Sequence, residues 1–132
     1  MAIFTVTKTI GSTGVFSTPQ LWEDGAPASL TTAEKSAAGT FLVAAFQQGE
    51  SLTFVGSGAT GKLIDTDSTG AGNGSYVSYG VVSGNPAASD VVTGATSGAT
   101  CILSSGTPTD TGCIWRGECQ NQEFSGTGTQ LT

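Results

Sequence analysis

The chain has 132 residues, enough for one domain with a modest core, or for a domain with an extended arm. Its net charge is −6 and its four basic residues, Lys8, Lys35, Lys62 and Arg116, are scattered, so the chain lacks the basic footprint that nucleic acid or an anionic membrane surface requires. There is no histidine, charged residues make up only 11%, and 20 glycines together with Ser and Thr (more than a quarter of the chain) favour strands and tight turns over helices.

Ala2-Ile-Phe-Thr-Val-Thr-Lys-Thr9 alternates apolar and polar residues through Phe4, Val6 and Lys8, which predicts a strand with one covered face. The N-terminus lacks the basic-then-apolar layout of a signal peptide, and no apolar run approaches the length of a membrane span. A turn is expected from Gly11 to Gly14. Thr18-Pro-Gln-Leu-Trp-Glu-Asp24 predicts a short helix, with Thr18 as N-cap, Pro19 at the first helical position and Gly25 and Pro27 ending it. A second helical turn is expected over 31–38, closed by Gly39.

From Thr40 onward the pattern is β throughout. Strands are expected at 41–47, 51–55, 62–65, 75–82, 90–93, 100–103 and 113–118, with a Gly-rich loop over 67–74 and a terminal strand or docked tail through Gly126, Gly128 and Thr132. Apolar clusters at 41–46, 52–55, 76–82 and 113–115 argue for an ordered chain despite the Gly and Ser content. Two organisations fit: an N-terminal strand or arm with helical turns over 1–39 followed by a β-domain over 40–132, or one compact domain.

An internal echo recurs about 40 residues apart. Glu50-Ser-Leu-Thr53 aligns with Asp90-Val-Val-Thr93, and Ser57-Gly-Ala-Thr60 with Ser97-Gly-Ala-Thr100. Each copy then carries a short apolar pair, Leu63-Ile64 or Ile102-Leu103. The unit reads as strand, turn, strand, loop, strand, with Gly58 and Gly98 at turn positions needing positive φ, and repeats at 49–88 and 89–125. The expected fold is therefore all-β: a small Gly/Thr-rich barrel or sandwich of hairpins, with one or two short helical turns near the N-terminus.

Several stretches imitate chemistry. Gly56-Ser-Gly-Ala-Thr-Gly-Lys62 has the glycine spacing of a dinucleotide fingerprint and nearly that of a phosphate loop, but Leu63 replaces the magnesium-binding hydroxyl, and the residues after it are not those of a helix. Asp65, Asp67 and Gly70 resemble the opening of a calcium loop, yet Tyr76 occupies the position of the closing carboxylate, leaving only a weak candidate site. Cys101, Cys113 and Cys119 have no zinc spacing and are an odd set for disulfides; buried thiols are the simpler expectation, and one bridge or an intersubunit bond the alternatives. The acid pairs Glu23/Asp24 and Glu118/Glu123 lack the setting of a glycosidase. No catalytic, cofactor or metal set is assigned. Trp22 and Trp115, with Ile3, Phe4 and Val6 of the first strand, are instead candidates for packing or interface anchors.

Three phrases resemble virion structural proteins of tailed bacteriophages: 92–100 (Val-Thr-Gly-Ala-Thr-Ser-Gly-Ala-Thr), 18–24 with Pro27 and Leu30, and 115–121 with Phe124. The resemblance implies a capsid decoration or cement protein on the outer surface of the major capsid protein shell, made in the host bacterial cytoplasm. It also implies a homo-oligomer, commonly a trimer; from the residues themselves no cofactor, nucleic-acid or membrane partner is expected. A tail, neck or fibre-base component is the alternative, as is a carbohydrate- or receptor-binding module using Tyr76, Tyr79 and Trp115 as a platform.

Overall fold

The structure is a computed structural model and describes residues 2–11, 14–26 and 29–119. In chain order it comprises β1 (Ala2–Ile10), α1 (Pro19–Asp24), β2 (Glu34–Leu42), β3 (Ser51–Val55), β4 (Ala59–Thr66), β5 (Tyr76–Ser83), β6 (Val91–Gly94), β7 (Thr100–Leu103) and β8 (Asp110–Cys119). β2 through β7 form a closed, six-stranded antiparallel barrel in the order β2-β5-β4-β3-β6-β7, with β7 returning to β2. Closure removes the bare strand edges that such a small sheet would otherwise present.

Alternation along the strands fills the barrel. Leu52 and Phe54 of β3, Leu63 of β4, Val77 and Tyr79 of β5, Val92 of β6, and Cys101 and Leu103 of β7 form one buried cluster with Ala38, Phe41 and Phe46. Phe54 meets the Tyr79 ring edge-on at 4.9 Å, and Phe41 meets Phe46 at 6.4 Å. Tyr79 is buried to its hydroxyl, which bonds Ser36 Oγ at 2.7 Å. The surroundings of its ring and hydroxyl push its pKa up, through burial first and then the nearby Glu34 carboxyl, despite the Ser36 bond acting the other way.

β2 shares one edge between two partners. Its C-terminal half pairs with β7 and its start pairs with β8, Glu34 opposite Thr111 and Lys35 opposite Asp110. At Gly112 the chain leaves the barrel, its N–H donating to the Ala33 carbonyl, and the rest of β8 runs parallel to β1. The register slips there between Ala2 and Phe4, a bulge that redirects the strand. The resulting β1–β8 ribbon lies against the outside of the barrel. Beneath it Phe4, Val6, Cys113 and the half-buried Trp115 pack on Ile64, the outward neighbour of Leu63, and on Ala33. Lys8 Nζ reaches Asp65 at 2.6 Å, and the Tyr76 hydroxyl donates to the other Asp65 oxygen at 2.8 Å, tying ribbon to barrel.

α1 forms where Thr18 and Pro19 predict. Thr18 Oγ accepts the Leu21 N–H at 3.2 Å, and Gly25 closes the helix. The second expected helical turn, 31–38, is instead the start of β2, and the expected strand over 41–47 stops at Leu42. Alanine, Glu and Lys suit a helix locally, but Ser36 and Ala38 point inward beneath Tyr79 and Leu103, and pairing with β5 and β7 overrides that propensity. Val43, at φ +74°, turns the chain out of the sheet. The expected terminal strand or tail lies outside the described residues.

Candidate interaction surface

The sequence echo corresponds to a local twofold axis. β3 pairs antiparallel with β6, Thr53 lies opposite Thr93, Leu52 opposite Gly94 and Phe54 opposite Val92, so exchanging the two copies maps the pairing onto itself. The third strand of each unit is not equivalent: β5 pairs with β4, whereas β8 pairs with β2 and β1.

Two carboxylates lock this arrangement reciprocally. Glu50 accepts the N–H groups of Thr96 and Ser97, each at 2.9 Å, and the Ser97 hydroxyl at 2.7 Å. Asp90 accepts the Ser57 N–H at 2.9 Å and its hydroxyl at 2.6 Å. Each acid also caps the turn before it, through the N–H of Gln47 or of Ala87. Each copy's acid thus holds the other copy's Ser-Gly-Ala-Thr turn. Gly58 and Gly98 take the expected positive φ, 80° and 73°. Both acids are buried, Glu50 6% and Asp90 2% exposed. Burial alone would raise their pKa values, but the hydrogen bonds from Ser97, Gln47 and Thr96, and from Ser57 and Ala87, outweigh it and hold both below the usual carboxylate range.

Around this axis the barrel presents a rank of hydroxyls. Ser83, Thr60, Thr53, Thr93 and Thr100 lie opposite one another on five successive strands, about 4.8 Å apart, with Thr60 Oγ1 and Ser83 Oγ in contact at 2.7 Å. Val55, Val91 and Ile102 make a parallel apolar rank on one side, and Ser51 and Lys62 lie on the other. Val55 is 55% and Ile102 39% exposed. The surface is short-chained, nearly uncharged and doubled about its own dyad. Hydroxyls that both donate and accept, beside β-branched methyls, suit close contact with a protein backbone.

The anchors expected from sequence fall elsewhere. Phe4 and Val6 are buried under the ribbon, whereas Ile3 on the same strand is 67% exposed. Trp22 of α1 stacks on Trp115 of β8, centroids 6.5 Å apart and planes within 12°, with Phe16 edge-on to Trp115. The Trp115 indole donates to the Trp22 carbonyl at 3.0 Å. The two tryptophans therefore clasp α1 to the ribbon. Tyr79 lies inside the barrel and Tyr76 is under Lys35, whose ammonium sits 4.2 Å from the ring centroid; with Trp115 in the clasp, the three aromatics make no common platform.

Asp65 is taken up by Lys8 and Tyr76, while Asp67 accepts Ser75 N–H and Oγ–H and the Tyr76 N–H. The Asp67 oxygens staple the 67–75 loop whereas Asp65 joins ribbon to barrel, and no cluster of three or more metal-ligating side chains occurs among the described residues. Residues 56–62 form the β3–β4 hairpin, away from any helix N-terminus. Cys101, Cys113 and Cys119 are unpaired with one another. Cys101 is buried with its thiol pushed up to about 12 by desolvation, Cys113 is buried and also raised, and Cys119 is exposed. A cleft of about 290 Å³ between the end of α1 and the barrel is lined by Leu63, Ile64, Val81 and Val82, with Asp24 and Lys62 as charged members. No membrane-length apolar helix occurs among the described residues.

The sequence had marked Glu50, Asp90, Ser57 and Ser97 as repeated, but not as partners across the dyad. The available signal was an acid at the same place in both copies of an acid-poor unit. The threonine rank was visible in the same way, as Thr53 and Thr60 echoed by Thr93 and Thr100. Comparison with protein-family models, curated proteins and solved structures returns no match to this chain.

Proposed function

We propose that the protein is a decoration or cement protein of a tailed-bacteriophage virion, bound to the outer surface of the major capsid protein shell and stabilising it. The observation that carries the reading is the doubled, nearly uncharged hydroxyl surface centred on Thr53 and Thr93. It is a rigid patch with little charge to desolvate and is repeated within one chain, so weak contacts add. The phage-like phrases at 18–30, 92–100 and 115–124 supply the virion context. Particles lacking the chain are expected to release DNA at lower temperature and under milder osmotic shock. Adding back a Thr53→Glu/Thr93→Glu protein that folds normally should fail to restore resistance. Unchanged resistance without the chain would sink the reading. A few to tens of copies per particle, against hundreds, would favour the tail or neck alternative.

A further inference from the structure

β1 pairs with β8 along one edge only. Phe16 N–H donates to the Thr9 carbonyl at 3.1 Å and Gly11 N–H donates to the Phe16 carbonyl at 2.8 Å, so residues 9 and 11 aim their backbone groups away from β8. Backbone groups alternate along a strand, and Ile3, Thr5 and Thr7 therefore present N–H and C=O to the same side, where no described residue bonds them. Strand edges of this kind are normally blunted by outward charges or proline. Here the exposed side chains are Ile3, Thr5 and Thr7, and the nearby charge, Lys8, is turned inward on Asp65.

We propose that β1 pairs with β1 of a second copy of this chain, antiparallel about a twofold axis at Thr5. That register sets Ile3 opposite Thr7 of the second copy and Thr5 opposite its equivalent. The three facing pairs have every outward backbone group answered and no like charges facing one another. It stops short of Thr9, where Phe16 already occupies the edge. The product is a continuous β8–β1–β1–β8 sheet. On its outer face Ile3 and Ile114, 67% and 53% exposed in the single chain, flank Thr5, so one apolar pair lies on each side of the facing threonines at the seam. A second copy is the occupant because the edge is its own complement: an isologous pair needs no other partner and closes on itself. The inference is independent of shell binding, since it concerns β1 and not the hydroxyl surface of β3–β7, and is tested in the free protein.

The purified full chain should sediment at about twice its 13.1 kDa mass. Thr5→Pro removes one outward N–H without touching the β8 ladder, and should yield a monomer whose circular dichroism is unchanged. In a Cys119→Ser background, Thr5→Cys should form a covalent dimer on mild oxidation, because facing residues in such a pair lie about 5.5 Å apart, within disulfide range. Thr53→Cys in the same background should not. A chain that stays monomeric at high concentration, a trimer, or a dimer that neither Thr5→Pro dissolves nor Thr5→Cys captures would overturn the proposal.

Discussion

At single positions the doubled turn exposes a strain that one copy avoids. Gly49 and Ser89 occupy equivalent places, one residue before the capping acids, with φ values of +76° and +69°. The left-handed region costs a side-chain-bearing residue about 1–2 kcal/mol, while glycine pays extra unfolded-state entropy of roughly 0.5–1 kcal/mol. Ser89 is exposed and its N–H bonds the Leu103 carbonyl, a contact that glycine keeps. Ser89→Gly should therefore raise stability by about 0.5–1 kcal/mol, read as a higher urea midpoint with an unchanged slope. Gly49→Ser should lower it by a similar amount; a neutral result for both would mean that the turn relaxes freely. The same echo was legible in the sequence because Ser57-Gly58 recurs unchanged as Ser97-Gly98 and an acid, Glu50 or Asp90, stands at the same place in each copy. What it could not reveal was which turn each acid serves, since that depends on the antiparallel register of β3 and β6.

Among the elements, those with local punctuation were readable. α1 carries its own cap and stop at Thr18, Pro19 and Gly25, β1 alternates cleanly, and β7 sits between Ala99 and Ser104 as expected. The first part of β2 was not readable, because its inward residues before Phe41 are Ser36 and Ala38, too small to mark a period, and their burial comes from Tyr79 and Leu103 far along the chain. The ribbon is similar: β1 and β8 are distant in sequence, and parallel two-stranded pairs hold poorly alone. Their adhesion rests on a buried patch in which Ile64 is the barrel's main apolar contribution, 3% exposed. Ile64→Ala should cost about 2–4 kcal/mol of docking. Amides of β1 and β8 should then exchange with solvent well over tenfold faster, while those of β3 and β6 keep their protection. Uniform acceleration would show instead that ribbon and barrel open as one unit.

For the molecule as a whole, the reciprocal acids predict how stability responds to pH. Glu50 and Asp90 have native pKa values below their usual 4.5 and 3.8, as has Asp67 through its bonds from Ser75 and Tyr76 against the cost of burial. A carboxylate whose native pKa is depressed contributes fully above its unfolded value and loses that contribution as pH falls through the native one. Glu34 runs the other way. Burial raises it more than its hydrogen bond to Tyr79 lowers it, so its ionised form opposes folding near neutrality and protonation relieves that between its native pKa and 4.5. Three depressed acids against one raised acid leave the net slope downward, and stability should fall from about pH 4.5 towards pH 2. Because Glu50 and Asp90 sit on the two sides of one dyad, losing either leaves the opposite turn's N–H groups unpaired, at about 1–3 kcal/mol each. Glu50→Gln/Asp90→Asn should therefore be less stable at pH 7 and nearly flat between pH 5 and pH 3, with Asp67 supplying the remaining slope. Urea midpoints for both proteins across that range measure it directly. An acid limb as steep in the double variant as in the parent would show that the barrel's acid response lies outside the paired caps, and that the dyad is held by the β3–β6 ladder alone.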